Sequence, residues 1–375
     1  MKKGFSLLVV LLSFMFMGGP VQARDVVKIG TTIDLSGYYG GVGKKFLKGY
    51  QLAFQEANEE GGINGRKIDF VFYDNNYNPD KAARDADRLV LEDKVNLLFS
   101  VFGTPPNVFV TPRLSVLKVP SVFPVSGAIF LYNQPWVFTF LPSYQDESAG
   151  MIRLIKKAGF KKVGIVYLPN LYGWDCRIGA TREARKLGIP YVYYPMKSPS
   201  QISEVIKGLR EANVDALYLI IPYKFLVPFL KAMDGQGYHP AIYTEYYCQL
   251  VRAFKEGLTP QEARGFGTLV TGRFLPMLYE DYPCIDWYMK ALAKYSPGEK
   301  PDPTIFVGYV LAHSLVELLR HVSSFEPTQL VKELESVKNL DVGLPEKLSY
   351  GPGDHVGLSK IYFYKLVNGS LVPLE

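Results

Sequence analysis

Cysteine is nearly missing from this 375-residue chain, which has three: Cys176, Cys248 and Cys284. So few exclude a disulfide-dense scaffold and allow one bridge at most. None forms a CxxC pair, so the usual zinc and dithiol redox sites are not indicated. Histidine is as sparse, with four scattered residues and no HExxH. His313 and His321 fall near one helix face and read as structural. A GxSxG nucleophile elbow is absent. The basic excess is thin: 42 Lys and Arg against 36 Asp and Glu give +6. A nucleic-acid binder would carry a clustered basic stripe. Glycine and proline follow no period, which excludes a collagenous chain. Past Met17 no apolar run approaches the ~20 residues of a membrane span.

What is present is globular. Apolar residues make up 48%, charged residues 21% and aromatics 14%, outside the composition of disordered chains. At about 150 residues per domain, the length suggests two or three domains. Lys2 and Lys3 precede an apolar run, Phe5–Met17, broken only by Ser6 and Ser13. Gly18-Gly19-Pro20 and the small residues of Val21-Gln22-Ala23 follow. This is the pattern of a secretory signal peptide over residues 1–23, cleaved after Ala23. The mature product is expected to be soluble and exported, and periplasmic in a Gram-negative cell.

The mature chain alternates. Val26–Ile33, Ile68–Tyr73, Val95–Phe102 and Ser121–Phe123 read as strands. Helical stretches at Phe46–Asn58, Pro79–Asp93 and Pro106–Leu117 separate them. The pattern restarts with strands at Lys162–Tyr167, Pro190–Tyr194, Ala216–Ile221 and Ala241–Thr244, again with helices between them. Tyr288–Lys294 and Thr304–His321 are further helices. Lys360–Val367 and Leu371–Pro373 flank Asn368-Gly369, a hairpin signal. Such alternation predicts α/β architecture, with parallel sheets covered by helices on both faces.

Gly37–Gly43 lies between a strand and a helix, where a phosphate cradle would sit. Phe46 breaks GxGxxG, and Tyr38 and Lys45 break a Walker A loop. The loop retains amides that can hold an anion. Asp74 heads a polar turn without the EF-hand spacing. Asn368-Gly-Ser370 matches a glycosylation sequon but sits at the hairpin tip. No catalytic constellation, metal set or cofactor motif emerges. In doubly wound sheets, ligands bind at the carboxyl ends of strands. Two such lobes make a cleft able to close on a small molecule.

The stretch from Lys28 to Pro79 resembles the start of the branched-chain amino-acid-binding proteins, type I solute-binding proteins of ABC importers. Leu35-Ser36-Gly37, Gly49, Gly61-Gly-Ile-Asn-Gly65, Tyr73-Asp74 and Pro79 carry the likeness. Tyr172-Gly173, Pro303–Leu319 and the closing segment from Tyr350 extend it over the mature chain. The resemblance implies two Rossmann-like lobes joined by three crossovers. Lobe 1 is expected over 24–143 plus about 273–345, and lobe 2 over 144–272 plus about 346–375. It also implies a site. Gly103 and Thr104 match the loop that holds a ligand carboxylate. Val125, Ser126 and Gly127 match a loop offering carbonyl and hydroxyl groups. Glu245 matches the carboxylate that pairs the ammonium, and Tyr172, Tyr223 and Tyr309 match ring positions walling the ligand. Phe102–Pro106 lacks the family's Ser-rich stretch, and Pro124–Gly127 replaces its Ala-Thr-type motif. The expected function is therefore capture of an amino acid, or a related amide or small organic acid, by a non-enzymatic monomer for an inner-membrane ABC permease. A ligand sensor acting through a signalling partner is the alternative.

Overall fold

The computed structural model describes residues 26–132, 134–248, 250–253, 257–367 and 370–374. The expected signal peptide and the Asn368-Gly369 tip lie outside the described residues. Two sheets organise the rest. The first contains β1 (Val27–Ile33), β2 (Ile68–Asp74), β3 (Leu97–Phe99), β4 (Ser121–Val122) and β5 (Val137–Phe138) in the order β2-β1-β3-β4-β5, all parallel. The second contains β6 (Val163–Tyr167), β7 (Tyr191–Pro195), β8 (Ala216–Ile220), β9 (Ala241–Thr244) and β10 (Leu269–Arg273), with β11 (Tyr362–Val367) and β12 (Ser370–Pro373). Its order is β12-β11-β10-β9-β8-β6-β7. β6 to β10 are parallel, and β11 and β12 run antiparallel at one edge.

β3, β6, β8, β9 and β10 are buried along their whole length. Parallel strands covered on both faces have this character, which is why they appear as unbroken apolar runs. The chain passes between the sheets three times: after β5, after β10 and before β11. The helices Pro283–Tyr295 and Pro303–Arg320 thus pack against the Gly40–Glu59 helix of the first lobe, although β10 belongs to the second. The close crossing of Gly40–Glu59 and Pro303–Arg320 depends on two glycines. A Cβ on Gly49 would lie 2.3 Å from the Ile305 carbonyl oxygen, and one on Gly308 would lie 2.5 Å from that of Phe46. Pro303–Arg320 is buried almost all round because helices and core enclose it.

One local expectation changes. Gly40, Gly41 and Gly43 are not loop residues; they form the first turn of the Gly40–Glu59 helix. A Cβ on Gly43 would stand 1.8 Å from the Asp34 carbonyl oxygen. Glycine is needed there so that the helix can start hard against the end of β1. The turn Gly61–Gly65 does need unusual backbone, with Gly61, Gly62, Asn64 and Gly65 all at positive φ. All three cysteines are buried free thiols.

Candidate functional site

The site is built where strands of both sheets end. Past β3 the chain turns sharply at Gly103, φ +96°, and starts the Thr104–Val110 helix. Gly103 has no Cβ because the Tyr77 ring fills that space; a Cβ would lie 2.5 Å from its Cε2. Thr104 then meets Ser126, Oγ1 to Oγ 2.9 Å, both buried. The Val125 carbonyl accepts from the Gly103 amide at 3.1 Å, and the Gly127 carbonyl from the Tyr144 amide at 2.8 Å. Gly127 lies beneath the Tyr144 ring, where a Cβ would stand 2.7 Å from Cδ1. Burial raises the pKa of the Tyr144 hydroxyl, with Thr104 and Ser126 opposing. Sequence reasoning placed these five residues together, and the fold does so. It also ties their carbonyls to protein amides.

The second lobe supplies the opposite wall. Asn170 caps the Leu171–Lys186 helix, accepting from the Gly173 amide at 2.9 Å. That cap orients Tyr172, whose hydroxyl donates to Glu245 Oε1. Glu245 directly follows β9, is fully buried, and accepts the Tyr247 amide on Oε2 at 2.8 Å. The rings of Tyr144, Tyr172 and Tyr247 meet edge to face with centroids 5.1–6.0 Å apart. This favourable aromatic geometry joins the hydroxyl loops to the carboxylate wall.

A cavity of about 170 Å³ opens beside the trio. Tyr38, Tyr39 and Val42 line it from the first lobe, and Tyr172, Tyr223 and Tyr247 from the second. Lys224 Nζ lies 4.9 Å from the Tyr38 ring centroid, and the Arg252 guanidinium carbon 4.4 Å from that of Tyr223. Near the trio, Asp175 Oδ2 of the second lobe accepts the Ile129 amide of the first at 2.7 Å. A larger groove of about 540 Å³ runs over the outer face between the Gly40–Glu59 helix and β2. It is away from the strand ends and has no comparable convergence of buried polar groups.

Two sequence readings are corrected. Tyr309 does not wall the cleft. It is fully buried where Pro303–Arg320 crosses Gly40–Glu59, and its hydroxyl donates to Glu56 Oε2 at 2.6 Å. On a helix buried all round, sequence alone does not indicate which side faces a ligand. The amides after β1 are not open to an anion either. Asp34 occupies them, accepting the Gly37 amide at 2.6 Å and the Tyr39 amide at 2.7 Å.

Glu147 was missed. It lies in the first turn of the Tyr144–Lys157 helix, fully buried, with Oε1 accepting the Tyr246 amide at 3.0 Å. Burial first, and the charge of Glu245 second, push its carboxyl well above the usual range. Burial also pushes Glu245 up to about 7, with Tyr172 and the Tyr247 amide opposing. Tyr144, Tyr247 and Asp34 were missed as well. In sequence each looks like an ordinary helix-start or loop residue. Among the described residues no group of His, Cys, Asp and Glu is arranged to hold a metal ion.

This arrangement has known counterparts. An amino acid binding protein of Pseudomonas aeruginosa is 22% identical over 226 residues, covering 59% of this chain and 60% of that one. The Leu/Ile/Val-binding protein homolog 8 of Brucella abortus is 24% identical over 366 residues, covering 90% and 85%. Among solved structures, a possible leucine/isoleucine/valine-binding protein from Rhodopirellula baltica superposes with TM-score 0.81 at 22% identity, covering 96% of this chain and 98% of that one. A fatty acid ABC transporter substrate-binding protein from Thermomonospora curvata superposes with TM-score 0.79 at 23% identity, covering 93% and 91%. The Periplasmic binding protein family model matches residues 26–370, so the chain belongs to that family, with the type I fold of its Leu/Ile/Val-binding members.

Proposed function

We propose that this protein is a solute receptor that captures an α-amino acid between its lobes and hands it to an ABC importer. One observation carries the reading. Neutral hydroxyls, Thr104 and Ser126, converge from one lobe, and a buried carboxylate, Glu245, from the other. A zwitterion has complementary ends, and buried charges require partners of this kind. In this reading the hydroxyls of Thr104 and Ser126 and the amide of Gly127 receive the ligand carboxylate, and Glu245 receives the ammonium. Tyr172 and Tyr223 wall the side chain, and the lobes close over it by a hinge motion. The cavity of about 170 Å³ lined by Tyr172 and Tyr223 adjoins these polar groups and would take the ligand's side chain. Domain boundaries near 143, 272 and 345 would place the hinge in the three crossovers.

The test compares matched ligands by titration calorimetry. Leucine, valine and tyrosine are each paired with the carboxylic acid that lacks the amine. Binding of an amino acid at least 100-fold tighter than its deaminated partner supports the reading. Equal binding, or preference for the amine-free acid, defeats it and points to an anionic ligand. Uptake of the preferred compound, lost on deleting this gene, tests delivery.

A further inference from the structure

The carboxylate wall holds two buried carboxyls where one ammonium requires one. Glu147 reaches the turn after β9 from the Tyr144–Lys157 helix and bonds the amide adjacent to Glu245. It lies over β10, where a Cβ on Gly272 would stand 2.4 Å from Oε1. Its other oxygen, Oε2, is fully buried without a hydrogen-bond partner. Among the described residues no Lys, Arg or His forms an ion pair with either carboxyl. The surrounding titratable groups are neutral at ordinary pH: Tyr144 on the same helix, Tyr172 and Cys176 on Leu171–Lys186, and Tyr218 on β8. Tyr246, Tyr247 and Cys248 complete the set from the turn after β9. Arg273 on β10 is a nearby cation, but it stacks 5.1 Å from the Tyr246 ring centroid and donates from Nε to the Leu275 carbonyl at 3.4 Å.

Two buried carboxylates cannot both ionise cheaply without a cation between them. We propose that Glu147 and Glu245 hold one proton between them, and that the ammonium of a captured amino acid replaces this proton at the site. The balance is one for one. The pair carrying one proton has charge −1. After the ammonium binds Glu245 and one H⁺ leaves to solvent, the pair and ammonium together again have charge −1. Glu147 is thus a specificity-determining residue: it makes the wall a place for one monocation and links capture to pH. This rests on the amine reading above, but the proton-sharing pair is tested without any ligand.

The first measurement is ¹³C NMR titration of glutamate side-chain carboxyls in the full, ligand-free protein. Interacting sites titrate as a pair when coupled by more than about one unit. Wild type is expected to show a carboxyl step near neutral pH. In E147Q the Glu245 step should fall by about a unit or more, and in E245Q the Glu147 step should fall likewise. An unchanged Glu245 step in E147Q overturns the pair; if E147Q fails to fold, an unchanged Glu147 step in E245Q does so. The second measurement is calorimetry with L-leucine at pH 7 in two buffers of different ionisation heat. Wild type should release protons on binding and E147Q should release none. At pH 5.5, E147Q should bind leucine at least as tightly as wild type. Leucine binding to wild type without proton release overturns the replacement step. Failure of leucine, valine and tyrosine alike to bind defeats the amine reading of the cleft, while the carboxyl titration still decides the pair.

Discussion

The two walls of the crevice solve different problems. The first-lobe wall, Thr104, Ser126 and the loop around Gly127, is neutral, and its carbonyls already receive protein amides. The second-lobe wall is acidic and under-satisfied, with Glu147 Oε2 buried and unpartnered. Polarity is therefore sorted by lobe. One half is a set of dipoles; the other buries two carboxyls without a cation, a cost that the proposed ammonium would relieve. A ligand with a positive end should owe most of its selectivity to the second lobe.

The sharpest way to break this comparison is Glu245→Gln. Removing one partner of a buried charge pair costs about 3–5 kcal/mol, roughly 100-fold to several thousand-fold in affinity. Calorimetry with the preferred amino acid should show that loss with the fold intact by circular dichroism. Wild-type affinity in this variant would place the selectivity elsewhere.

Next is stability against pH in the absence of ligand. A carboxyl raised from 4.5 to about 7 keeps in the folded state a proton that the unfolded chain releases. Its contribution is greatest below pH 4.5 and is lost as pH rises to 7. The melting temperature should fall across that window in wild type, and the fall should be shallower in Glu147→Gln. The first-lobe wall contains no such group, so Ser126→Ala should leave the slope unchanged.

A smaller effect is expected from Thr104→Ala. A hydrogen bond to a charged group contributes about 1.5–3 kcal/mol, so affinity should fall roughly 10- to 150-fold. A loss equal to that of Glu245→Gln would erase the asymmetry between the walls. The smallest effect on binding is expected from Tyr309→Phe. Its hydroxyl serves Glu56 in the helix crossing, so ligand affinity should stay within twofold while stability drops by about 1 kcal/mol. A clear affinity loss would return Tyr309 to the cleft.

How legible the fold was depended on how local each signal is. Buried parallel strands declare themselves as apolar runs, whereas Gly49 stood out only through the family likeness, with no sign of the helix it meets. Thr104, Ser126 and Glu245 could be singled out because strand ends and a family likeness both point to them, and Tyr172 and Tyr223 by the likeness alone. Glu147 was not, because its role exists only once the Tyr144–Lys157 helix lies over β10, far along the chain. Asp34 was hidden for a related reason. Amides that look open to an anion in sequence are filled by a carboxylate only a few residues away, and only the bend after β1 reveals it.

The edge hairpin of the second sheet has a consequence for assembly. β11 pairs with β10 through Val270↔Lys365, after the chain has visited the first lobe to form Pro283–Tyr295 and Pro303–Arg320. Neither lobe is therefore a contiguous piece of polypeptide that can mature alone as it emerges. Such non-local pairings slow folding, because loop closure is paid for before contacts reward it. A chain arrested before Tyr362 would leave the β10 edge bare and open to strand addition by a neighbour, so nascent-chain aggregation should end once β11 docks.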